Sequence, residues 1–226
     1  MTSEEEEEER EIGPIVEMND EILKDNQELA RRNNRLLKKH NIKCIEVVGA
    51  IGSGKTSILE SIVGKISKTK KVFVICGDVS TTIDADRIQA CGGTTYEINT
   101  GRECALNAYH IQEVIKAVDF PIEETDVLFI ENVGNLICPS DFILGAEKRI
   151  MVVSVTEGDH VIIKHPLLVK MSEIIIINKI DLVEILETDL QRMIDDAKSI
   201  NPDIQVIPMS VKTGENLDHL YEVLEL

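Results

Sequence analysis

Apolar residues recur at helical spacing from Pro14 to His40. Ile15, Ile22, Leu29 and Leu36 stand seven apart, and Val16, Leu23, Ala30 and Leu37 run beside them. Lys, Arg, Asn and Glu fill the other positions, so the spacing predicts one long amphipathic helix with a single apolar face. Beyond His40 the pattern changes to short continuous apolar runs alternating with helical stretches. The runs predict strands at Ile42–Val48, Val72–Cys76, Thr94–Ile98, Val127–Glu131, Arg149–Val155, Glu173–Ile177 and Gln205–Met209. Helices are predicted at Lys55–Ile66, Asp84–Ala90, Glu103–Val118, His165–Met171, Asp189–Ile200 and Asn216–Leu224. Runs such as Ile174-Ile175-Ile176-Ile177 suit strands buried on both faces. The expected fold is therefore α/β: a mostly parallel sheet with helices on both faces, preceded by a long N-terminal amphipathic helix.

Charge adds an appendage. Residues 1–11 hold seven Glu and one Arg, −6 of a net −17, which leaves −11 on the remainder. The expected organisation is an acidic disordered tail over 1–13, the helix over 14–40 and one domain over 41–226. A body this acidic repels nucleic acid. No apolar stretch is long enough to span a bilayer, and the acidic start resembles neither a secretory nor a transit signal. Five scattered cysteines fit reduced thiols of a cytoplasmic protein better than a disulfide framework.

Chemistry enters at Gly49-Ala50-Ile51-Gly52-Ser53-Gly54-Lys55-Thr56, which matches GxxxxGK[ST] between a predicted strand and a predicted helix that continues through Ser57. Glycines let backbone N–H groups wrap a phosphate, and the helix start adds partial positive charge. Lys55 then reaches the β- and γ-phosphates, and the Thr56 hydroxyl can ligate Mg²⁺. This is the fold of a P-loop NTPase. Asn178-Lys179-Ile180-Asp181 matches NKxD at the end of another strand. The Asp181 carboxylate accepts from N1–H and the exocyclic amino group of guanine, donors that adenine lacks there. Lys179 is expected along the purine plane and Asn178 between loops. Ser210-Val211-Lys212-Thr213-Gly214 is a turn suited to presenting a backbone N–H to guanine O6. GTP and GDP are the implied ligands.

Two strand ends offer carboxylates for Mg²⁺ or its water: Asp78 and Glu131, the latter followed by Gly134, whose N–H can approach the γ-phosphate. The candidate catalytic set is Lys55, Asp78 and Glu131. Where Ras-like GTPases have DxxG followed by a water-positioning Gln, this chain has ExxG followed by Asn135. With no Gln or arginine finger evident, hydrolysis is expected to be slow and to rise with dimerisation or a partner.

Taken together, Val48–Thr56, Cys76–Val79, Asn99–Cys104, Glu131–Pro139, Glu157–Asp159, Lys164–Pro166 and Asn178–Leu182 resemble the HypB family of nickel-inserting GTPases in hydrogenase maturation. Glu131-Asn132-Val133-Gly134-Asn135-Leu136-Ile137-Cys138-Pro139 is the most family-specific string. The resemblance implies a dimerising GTPase related to UreG, its subunits meeting across their nucleotides. It also implies delivery of Ni²⁺ to a hydrogenase large subunit with a HypA-type metallochaperone. The family's metal ligands map onto Cys104 and Cys138, but its histidine position is Ala105. His110 lies five residues beyond Ala105, which on a helix is about 140° around and so on a different face. Thiolates suit Ni²⁺ and Zn²⁺, and two copies would supply four sulfurs. Competing readings are a nucleotide-regulated nickel or zinc carrier with little turnover, a UreG-like GTPase serving another nickel enzyme, and a P-loop small-molecule kinase. The kinase reading lacks its Arg-rich lid.

Overall fold

The computed structural model describes residues 19–78, 83–101, 103–117 and 119–226, with the backbone alone at 19, 20 and 78. The acidic segment 1–13 and the start of the N-terminal helix at 14–18 lie outside the described residues.

Seven strands form one sheet: β1 (Lys43–Gly49), β2 (Val72–Asp78), β3 (Thr94–Asn99), β4 (Val127–Glu131), β5 (Lys148–Ser154), β6 (Ile174–Asn178) and β7 (Gln205–Pro208). Their order is β3-β2-β4-β1-β5-β6-β7, and every ladder is parallel. The chain places β2, β3 and then β4 on one side of β1, with β4 inserted between β1 and β2, before it crosses to the other side. A crevice therefore opens beyond the carboxyl end of β1, the place where open parallel sheets bind ligands.

Helices α1 (Asn19–Lys39), α2 (Lys55–Ile66), α3 (Ile83–Ala90), α4 (Ala108–Lys116), α5 (Pro166–Lys170), α6 (Val183–Leu186), α7 (Leu190–Ile200) and α8 (Leu217–Leu224) complete the chain. One sheet face packs on α2, α3 and α8 through Ile58, Ile62, Ile88 and Leu220. The opposite face carries two apolar clusters. Leu37, Ile111 and Val114 of α1 and α4 cover one, and Leu168, Val169 and Met193 of α5 and α7 cover the other. Cys44 and Cys76 are buried in these cores, as their strand positions predict. Burial pushes the Cys44 thiol well above its ordinary range, which suits a packing role.

Two predicted features differ. The helix expected at Glu103–Val118 starts only at Ala108, because Asn107 caps it: its side chain accepts from Tyr109 N–H and His110 N–H. His110 closes the capping box, its Nδ1 accepting from Asn107 N–H at 3.2 Å. Cys104 and Ala105 therefore sit on the loop before α4, so the angular argument against His110 loses its premise. The second difference concerns α1. It docks on its own domain, but Ile22 and Leu36 stay 55% and 37% exposed. Ala30 and Leu37 of the expected stripe are buried, and Asn26 and Asn33 are buried beside them. Asn26 donates to Ile143 O and accepts from Ala108 N–H, while Asn33 donates to Ala108 O and Leu144 O. Polar side chains with backbone partners complete the buried face.

Candidate nucleotide and metal site

A cleft of about 600 Å³ opens at the carboxyl ends of β1, β4 and β6. It is lined by Ile51, Gly52, Gly54, Lys55, Thr56, Ser57, Glu131, Gly134, Asn178, Lys179, Asp181, Val211 and Lys212. The sequence-predicted residues thus converge from four separate segments. Gly49, Ser53 and Ser210 support the rim from behind. Gly49 O accepts from Lys55 Nζ at 3.2 Å, and Ser210 Oγ donates to Asp181 Oδ1 at 2.6 Å. Asp78 ends β2 on the same side of the sheet, while its side chain lies outside the described atoms.

Local geometry explains the glycines where neighbours crowd. Gly54 has φ +108°, and a Cβ there would lie 2.2 Å from Asn178 Nδ2. That amide instead donates to Ser53 O at 2.9 Å, locking the Gly49–Thr56 loop to the Asn178–Asp181 turn. Asn178 Oδ1 also accepts from Val211 N–H at 3.3 Å, so one side chain joins three loops. Lys179 Nζ donates to Gly52 O at 2.6 Å, which draws its stem across the cleft. At Gly134 a Cβ would meet Ile51 Cγ1 at 2.4 Å, so only glycine lets this loop close on the phosphate loop.

Glu131 is the chemically loaded residue. Thr56 Oγ1 donates to its Oε1 at 2.8 Å. Its Oε2 is buried and has no hydrogen-bond partner among the described residues. Burial raises this carboxyl to about 7, against the opposing pull of Lys55 and Thr56. A buried carboxylate oxygen without a donor, adjoining a threonine hydroxyl, is a donor set that fits a hard cation such as Mg²⁺. Lys55 Nζ folds onto the carbonyls of Gly49 and Ala50, at 3.2 and 3.1 Å, where a phosphate would compete for it.

Arg87 also lines the cleft, a residue the sequence reading passes over. Glu60 holds it at 2.7 Å, and Asp84 and Ser57 Oγ add contacts at 3.3 and 3.1 Å. The Asp84/Arg87 spacing on one helix was the available signal; Glu60 lies 27 residues away.

Cys104 and Cys138 meet within one chain and are joined as a disulfide, where the sequence reading has both reduced. Two local devices bring them together. Asn135 Oδ1 accepts from Ile137 N–H and Cys138 N–H, turning the segment that follows Gly134. Asn132 Oδ1 accepts from Leu106 N–H, tethering the Cys104 loop to that same segment. Among the described residues no third His, Cys, Asp or Glu joins them as a metal-binding group. Ala105 is buried, and His110 Nε2 faces Glu103 at 3.6 Å.

Residues 43–208 match the family described as CobW/HypB/UreG, nucleotide-binding domain. The chain belongs to the CobW/HypB/UreG family. It is 44% identical over 211 residues to the "Probable hydrogenase maturation factor HypB" of Methanocaldococcus jannaschii, covering 93% of this chain and 95% of that one. The crystal structure of hydrogenase maturation factor HypB from Archaeoglobus fulgidus superposes with a TM-score of 0.83 at 39% identity, covering 89% of this chain and 98% of that one. HypB from Helicobacter pylori, crystallised in complex with nickel, gives 0.82 at 32% identity, covering 89% and 94%. Within this CobW/HypB/UreG chain, the GxxxxGK[ST] loop, the NKxD turn and the paired cysteines all occupy one end of the sheet. No described helix is long and apolar enough to cross a membrane.

Proposed function

We propose that this CobW/HypB/UreG protein is a Mg²⁺-dependent GTP hydrolase that couples its nucleotide state to the handling of Ni²⁺ during hydrogenase maturation. The observation that carries the proposal is the buried Oε2 of Glu131, without a hydrogen-bond partner among the described residues, beside Thr56 in the same cleft as Lys55 and Asp181. Thr56 and Glu131 would hold Mg²⁺, with Asp78 at the neighbouring strand end. When bound, the ion would neutralise charge developing on the phosphates. Lys55 would exchange its carbonyl partners for phosphate oxygens, and loop amides would share the load. Asp181 would accept from N1–H and the exocyclic amino group of guanine, with Ser210 Oγ holding its carboxylate in place. Slow turnover is supported by the lack of a glutamine after Gly134 and by the engagement of Arg87 with Glu60 and Asp84.

Once reduced, Cys104 and Cys138 would offer Ni²⁺ two sulfurs per chain, a donor type that Zn²⁺ shares. A second copy meeting the same face would raise this to four. Ile51 and Ile137, both strongly exposed on the nucleotide side, support pairing there. A HypA-type metallochaperone and a hydrogenase large subunit are the partners that family membership supports.

The test is titration calorimetry of the full chain with GTP, GDP and ATP in Mg²⁺, with gel filtration of the same samples. GTP and GDP should bind, ATP should bind at least about 100-fold more weakly, and GTP should favour the dimer. Equal affinity for ATP would overturn the assignment.

A further inference from the structure

Between the two apolar clusters on the α1/α4 and α5/α7 face runs a polar seam that neither nucleotide nor metal chemistry requires. Asn132, Glu46 and Arg149 are 1%, 2% and 5% exposed. Glu46 sits at the middle of β1, and Arg149 lies opposite it in the β1/β5 register. Asn132 Nδ2 donates to Glu46 Oε1 at 2.9 Å, and Arg149 Nε donates to Glu46 Oε2 at 2.9 Å. The guanidinium fork then donates to Pro139 O at 3.1 Å and to Phe142 O at 2.9 Å. At the other end, Asn132 Oδ1 accepts from Leu106 N–H at 2.9 Å. Burial raises the Glu46 carboxyl, and Arg149 and Asn132 counter it.

The ends of the seam are specific. Asn132 lies between Glu131 and Gly134, on the loop that faces the γ-phosphate position. Leu106 is two residues past Cys104, and Pro139 is the residue after Cys138. An apolar seam would be simpler to build and often as stable, because a buried ion pair repays its desolvation only when fully hydrogen-bonded. Here these donors and acceptors mate end to end, so turning Asn132 strands its partners at once.

We propose that Asn132, Glu46 and Arg149 are positioning residues that transmit the state of the γ-phosphate loop to both cysteine-bearing segments. The inference rests on the reading of Cys104 and Cys138 as the metal-binding pair, but its test does not need the metal. The relay works because Asn132 grips the Cys104 loop directly and the Cys138 segment through Glu46 and Arg149. A shift at Gly134 therefore moves both sulfurs together rather than one.

The experiment uses the reduced full chain with Mg²⁺ and either GDP or a non-hydrolysable GTP analogue. Iodoacetamide alkylation of Cys104 and Cys138 is followed by peptide mass spectrometry. In the wild type the rates should differ between nucleotides by at least about fivefold. Two variants follow. Arg149→Lys keeps the charge but loses the fork, and Glu46→Met/Arg149→Met replaces the pair with apolar side chains of similar length. In both, GTP affinity should persist while the rates at Cys138 become independent of the nucleotide. Melting curves identify which variants are folded, and the double variant serves if the single one is not. Persistent nucleotide dependence in a folded variant overturns the relay, as does its absence in the wild type. Ni²⁺ binding to the same reduced wild type tests the metal reading separately: with no Ni²⁺ bound and the thiol response intact, the metal reading falls and the relay stands.

Discussion

Asp181 has two acceptor oxygens, and Ser210 Oγ occupies one at 2.6 Å. An amide in its place would turn an acceptor edge into a donor. Asp181→Asn should therefore weaken GTP by at least about 100-fold, the loss of two charge-assisted hydrogen bonds at roughly 1.5–3 kcal/mol each. The same variant should gain affinity for xanthosine triphosphate, whose C2 oxygen accepts where guanine donates. Fluorescence titration with both nucleotides checks the exchange, and an unchanged preference for GTP contradicts it. Glu131 gives a pH prediction with a definite sign. Its carboxyl is raised from 4.5 to about 7 in the folded chain. The native state thus binds more protons than the unfolded state, and its stability falls as pH rises through that window. Relative to Glu131→Gln, the nucleotide-free wild type should lose melting temperature between pH 4.5 and 7. A difference that does not change with pH contradicts this. In the proposed function the disulfide of Cys104 and Cys138 would compete with metal for the same sulfurs. Reduced protein should bind Ni²⁺, and oxidised protein should lose that binding, as equilibrium dialysis will show. The phosphate loop and the NKxD turn were legible because their chemistry needs neighbouring residues in a fixed local order. Glu46, Asn132 and Arg149 were not, because their partners stand 86 and 103 residues apart in sequence.

Among the elements, strands were the most legible. Val127–Glu131 and the helix Lys55–Ile66 appear with the expected bounds, since unbroken apolar runs and a phosphate-loop start leave few alternatives. Helix α4 was misread at its start. The apolar periodicity extended back past Asn107, but side-chain capping there ends the helix and frees Cys104 to approach Cys138. Helix α1 was read in kind and in face, since Ala30 and Leu37 are buried as expected, but the two asparagines on that face were passed over. Hydropathy ranks asparagine as a surface residue, whereas Asn26 and Asn33 here satisfy loop backbone groups that α1 buries. Asn33→Ala should accordingly cost about 1–3 kcal/mol, leaving two carbonyls without their donor. Urea unfolding reads this as a lower midpoint at an unchanged slope. A midpoint equal to the wild type would show that α1 docks through its apolar residues alone.

For the whole molecule, the parallel sheet gathers three features at one end: the GxxxxGK[ST] loop after β1, the NKxD turn after β6, and the cysteines that flank the β4 loop. Their closeness makes a linked GTP and metal switch physically economical, because one loop after β4 borders both sites. Linkage also demands reciprocity: whatever factor GTP imposes on Ni²⁺ affinity, Ni²⁺ must impose on GTP affinity. The most direct measurement is the Ni²⁺ dissociation constant of the reduced full chain loaded with GDP or with a non-hydrolysable GTP analogue. It is paired with the analogue's own dissociation constant with and without Ni²⁺. The account predicts Ni²⁺ affinities that differ by at least about fivefold and a matching ratio in the reverse titration. Identical Ni²⁺ affinity in both nucleotide states would contradict it.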